Sequence, residues 1–83
     1  MKNYIRTINM DGPAGNAMNL MATAKHMAKE HGENGSKIVK EMMDTGEYDI
    51  LVQTLLFYFG DYLRLVNSSG KDITYDYIRE DNG

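Results

Sequence analysis

The densest grouping of chemically able side chains is HMAKEH, residues 26–31, which holds two imidazoles and a carboxylate. The nearest metal-binding pattern is HxxEH, and here one extra residue separates His26 from Glu30. On a helix, positions five apart diverge by about 140°, so His26 and His31 do not face one ion together. His26 and Glu30 do share a face, but two ligands do not hold a metal. No metal site is expected. His31 reads instead as a cation-capable group in the last turn of a helix, where it complements the dipole.

The second candidate is DGPAGN, Asp11 to Asn16, which joins a strand pattern to a helix pattern. A glycine-rich turn entering a helix presents backbone N–H groups to anions. Gly12, Ala14, Gly15 and Asn16 would form that cradle and bind a nucleotide, a phosphate or a similar small molecule. The side chains argue for a corner. GxxxxGK[ST] and GxGxxG are both absent. Proline suits the first helical position. Asp11 or Asn16 can cap the helix, and the Asp11 carboxylate opposes a bound phosphate.

With no cysteine in 83 residues, disulfides, thiolate zinc and thiol nucleophiles are excluded. No serine or threonine has a base near it in sequence, and the acids are scattered. The expectation is no catalytic residue, no enzyme and no cofactor. Lys25, Lys29, Lys37 and Lys40 are the one argument for nucleic acid. A net charge of −3 opposes it.

Elements that would position these groups follow from periodicity. Alternation over residues 4–10 predicts a strand with Ile8 and Met10 on one face beside Arg6. Met18 to His31, with a start slightly earlier, predicts a helix that stops at Gly32. Glu33 to Gly35 is a turn, Ser36 caps a short helix ended by Gly46, and a third helix runs from about Glu47 to Phe59. Tyr62–Asn67 and Ile73–Ile78 read as strands joined by a turn at residues 68–71, a hairpin pattern. The order β-α-α-α-β-β predicts one α+β domain over residues 1–79, with three helices on one face of a two- or three-stranded sheet. Residues 80–83 are expected to fray as an acidic tail.

Two surfaces stand out on these helices. At 100° per residue, Ala17, Leu20, Met21, Ala24, Met27 and Ala28 form the core arc of the first helix. Asn16, Asn19, Thr23, His26 and Glu30 fall on a narrow stripe beside it, mostly short groups that both donate and accept hydrogen bonds. That stripe is the expected partner-binding site. On the third helix, Tyr48, Leu51, Val52, Leu55, Leu56 and Phe59 form the core face, while Ile50 and Phe57 project to the far side. Self-association as a homodimer through Ile50 and Phe57 is the expectation.

Residues 1–40 carry a charge of +3 and residues 41–83 a charge of −6, an asymmetry suited to head-to-tail association or to a basic partner. Hydrophobic content of 42% argues against disorder. The apolar run Ile50–Phe59 is about half of the ~20 residues a membrane span needs. With no signal-peptide pattern, a soluble cytoplasmic protein is expected.

The segments NMDGPAGNAMNLMATAKHMAKEHG and GEYDILVQTLLFYFGDYLRLV resemble small phage- or prophage-type proteins. Those pair a strand–DGPxGN–helix start with a later helix–FG–strand segment. The resemblance covers about residues 4–66 and implies provenance alone; it carries no activity, cofactor or binding residue. The functional expectation is a non-enzymatic protein–protein interaction module, self-associating, phage-encoded and acting on a host protein. The anion-binding loop is the alternative.

Overall fold

A computed structural model describes residues 5–78. The chain runs through β1 (Arg6–Asn9), α1 (Ala17–His31), α2 (Gly35–Asp44), α3 (Tyr48–Phe59) and β2 (Leu63–Val66), with 3-10 turns at Pro13–Gly15, Gly60–Tyr62 and Thr74–Asp76. This is the α+β arrangement that the periodicity predicts: three helices packed with a small sheet. Tyr4 of the first predicted strand and the tail at 80–83 lie outside the described residues.

β1 and β2 pair in parallel, with Arg6 opposite Leu63 and Ile8 opposite Leu65. Parallel strands need a long crossover, and the three-helix segment supplies it. Ile8, Leu63 and Leu65 are buried with Leu20, Ala24 and Met27 of α1, Ile38 and Met42 of α2, and Val52, Leu55 and Phe59 of α3. Burying each large side chain contributes about 1.5–3 kcal/mol, so this single cluster is what holds a chain of this size together.

Local signals end the helices where the residues allow. Asn16 caps α1, its side-chain oxygen accepting from the Asn19 N–H at 2.8 Å. Gly32 adopts φ 74°, and the Glu33 N–H donates to the Ala28 carbonyl at 2.7 Å, a left-handed stop that favours glycine. The cap of α2 differs from expectation. It is Asn34, which accepts from the Lys37 N–H at 3.1 Å, and Ser36 lies inside the helix. Asn34 sits three residues before that orphan donor, the reach a capping side chain requires. α2 is fastened to α3 by the Tyr58 hydroxyl, which donates to Glu41 at 2.8 Å, while Lys37 donates to Glu41 at 3.0 Å. Those hydrogen bonds hold the Glu41 carboxyl below its ordinary range and push the Tyr58 phenol up.

The predicted third strand does not form among residues 73–78. A single antiparallel bridge joins Val66 to Asp72, and the chain then enters the 3-10 turn at Thr74–Asp76. A buried side chain interrupts the ladder. The Thr74 hydroxyl accepts the Leu65 N–H at 2.8 Å, and the Ile73 N–H donates to the Leu65 carbonyl at 2.8 Å. With both of Leu65's outer groups taken within two residues, the chain has no further ladder to extend. Alternation through Tyr75 and Tyr77 imitates a strand while Tyr75 stands in solvent.

Candidate functional site

The DGPAGN corner is built by close approach. A Cβ added at Gly15 would lie 2.4 Å from the Met10 carbonyl oxygen and 2.7 Å from its Cα, so glycine is required there by packing. The corner's donors turn inward. The Asp11 N–H donates to the Asn9 side chain at 3.0 Å. The Gly12, Gly15 and Asn16 N–H groups donate to Asn9, Gly12 and Pro13 carbonyls at 3.0–3.2 Å. Of the residues expected to cradle an anion, Gly12, Gly15 and Asn16 therefore spend their amides within the loop, and the Asp11 carboxylate accepts the Ser68 N–H at 2.9 Å. The Tyr48 hydroxyl, brought from α3, donates to the Gly15 carbonyl. Burial, with Tyr77 and Asp49 nearby, pushes the Tyr48 phenol up, so it stays a donor.

The polar stripe of α1 is divided by the fold. Asn16 is consumed as the cap, and the Asn19 amide donates to the Pro13 carbonyl at 2.7 Å. Asn19, Thr23 and His26 line an open hollow of about 420 Å³ together with Ala14, Ala22 and Arg6. Arg6 donates to Glu30 at 3.2 Å, and His26 stands 3.7 Å from the same carboxylate oxygen. Glu30 thus ties the stripe to β1. Arg6 is the member of this group that periodicity does not reveal, because it lies 24 residues from its partner.

The other surface lies on α3. Phe57 is 81% exposed and Ile50 42%. The Thr54 hydroxyl donates to the Ile50 carbonyl at 2.9 Å, so the polar group between them is satisfied within the helix. Phe57 borders two hollows. One, of about 400 Å³, is shared with Ile5, Leu63, Arg64, Asp72 and Tyr75; the other, of about 230 Å³, is shared with Gln53, Leu56, Tyr77 and Ile78. Ile50 lies two turns along α3 and lines neither. Tyr75 and Ile78 join this face because the chain after β2 folds back over it, and Ile5 reaches it from just before β1, a placement no local pattern signals.

His31 has a further role. Its ring packs 4.4 Å from Tyr62 and 5.7 Å from Phe59, centroid to centroid, so it covers the end of α3 as well as ending α1. No helix among the described residues is long and apolar enough to cross a membrane. No protein-family model, no curated protein and no solved structure matches this chain.

Proposed function

We propose that this protein is a non-enzymatic interaction module that self-associates through the Phe57 face of α3. The observation that carries the reading is Phe57 itself, 81% exposed and set between two hollows, one mainly apolar and one edged by Arg64 and Asp72. Apolar patches rimmed by polar groups mark contact surfaces, and a buried aromatic anchor dominates such contacts. The patch carries a projecting ring beside cavities, so a two-fold axis seats each Phe57 in a hollow of its partner, as an isologous contact requires.

Light scattering after size exclusion tests this reading. Phe57→Ser is expected to lower the assembled mass while circular dichroism stays native, because Phe57 contributes to contact and not to the core. An unchanged mass would overturn it.

A further inference from the structure

The two strands leave two outer edges. On β2 the outward residues are Leu63, Leu65 and, just past the strand, Asn67: the Leu63 N–H donates to the Gly60 carbonyl, Thr74 and Ile73 bond Leu65, and the Asn67 N–H donates to the Lys71 carbonyl at 3.0 Å. On β1 the Met10 N–H donates to the Val66 carbonyl at 2.8 Å. By alternation Arg6 and Ile8 also face β2, so the N–H groups of Ile5, Thr7 and Asn9 point away. Among the described residues no backbone acceptor meets them. An open edge of this kind is a template for another strand.

Beside the open edge lies the hollow of Arg6, Asn19, Thr23 and His26, which no residue of β2, α2 or α3 lines. We infer that the outer edge of β1 and this flank of α1 receive a second copy of the chain, β1 pairing antiparallel with the partner's β1. Charge and hydrogen-bonding chemistry select that occupant. The flank presents one cation and one anion already joined, Arg6 and Glu30, so a partner of a single charge sign gains nothing from it. A copy related by a two-fold axis brings the opposite sign to each. Thr23, Asn19 and His26 both donate and accept, and so complement themselves.

Register follows from the outward set. Centring the axis on Thr7 places Thr7 opposite Thr7 and Ile5 opposite Asn9 in hydrogen-bonding positions, for about four backbone bonds, since the Asn9 carbonyl already accepts the Gly12 N–H. Paired threonines favour one another across strands. The product is a four-stranded sheet in the order β2-β1-β1-β2, which relieves the marginal size of a two-stranded one. This contact is independent of the Phe57 face. A chain that uses both forms an even-numbered assembly larger than a dimer.

Thr7→Pro removes the central outward N–H without touching the β1–β2 bonds, and proline is tolerated on such an edge. The wild type is expected to assemble beyond a dimer. Thr7→Pro and Phe57→Ser would each reduce it to a dimer, and the double variant to a monomer. Because the chain has no cysteine, Thr7→Cys supplies a second reading that survives if the proline variant fails to fold. Paired Cα atoms about 5.5 Å apart lie within disulfide reach, so air oxidation should cross-link Thr7→Cys several-fold faster than the exposed control Ser69→Cys. A folded Thr7→Pro variant of wild-type mass, or cross-linking no faster than the control, overturns the inference. If Phe57→Ser lowers the mass and a folded Thr7→Pro variant does not, the inference is overturned and the Phe57 reading stands.

Discussion

β1 and β2 are each four residues long, and each has one edge turned away from its neighbour. The β2 edge is closed from within the chain. Residues 71–74 return along it, and Thr74, 8% exposed, replaces a strand's carbonyl with a hydroxyl. The β1 edge is held only at its end, where the Pro13–Gly15 turn folds against Met10. One sheet can thus stop at one side and remain open at the other. What separates the two sides is whether the following segment returns along the edge or departs into a helix.

The largest effect on this contrast is expected at the seam between the strands. Gly15→Ala drives a Cβ into the backbone of Met10, whose N–H bonds β2. Overpacking of this kind costs roughly 3 kcal/mol, a Tm loss of more than about 10 °C in a domain of this size. Gly12→Ala is the control. Its nearest neighbour would be 3.7 Å away, and thermal melts should find it close to wild type.

A smaller effect opens the covered edge. Thr74→Val keeps the shape but leaves the buried Leu65 N–H without its acceptor, at a cost of about 1–3 kcal/mol. Thr74→Ser keeps the acceptor and should recover most of that loss in a urea titration. Amide exchange at Leu65 reports directly whether the edge has opened.

The mildest perturbation is acid. The Thr74 hydroxyl and N–H, then Arg64, hold the Asp72 carboxyl below its ordinary value of 3.8. Its folded pKa is depressed, so its contribution is fully present above about pH 4 and is lost as pH falls through the folded value. Glu41 shifts the same way, through Tyr58 and then Lys37. Melts between pH 5 and pH 2.5 should therefore show stability falling with acid. Asp72→Asn should flatten part of that slope.

Much of the framework was legible from residue order. Helix faces follow from the spacing of Leu20, Ala24 and Met27 and of Val52, Leu55 and Phe59, all buried as their periodicity predicts. Asn16 and Gly32 announce the two ends of α1. Phe57 projects outward because it sits opposite the core arc of its own helix. The third strand misled because alternation measures side-chain type, and Thr74 shows that one hydroxyl can end a ladder that alternation would continue. Ser36 misled because Asn34, two residues earlier, is an equally good cap.

Groups within four residues of one another thus had their relations set by helix and strand geometry, which every residue carries locally. The rest had to wait for the chain to close on itself. Parallel pairing of β1 with β2, Asp11 on the Ser68 N–H 57 residues away, Tyr48 on Gly15, and Arg6 on Glu30 depend on how the helices stack between the strands. The open β1 edge belongs with them, since an edge exists only once the sheet has chosen its neighbours.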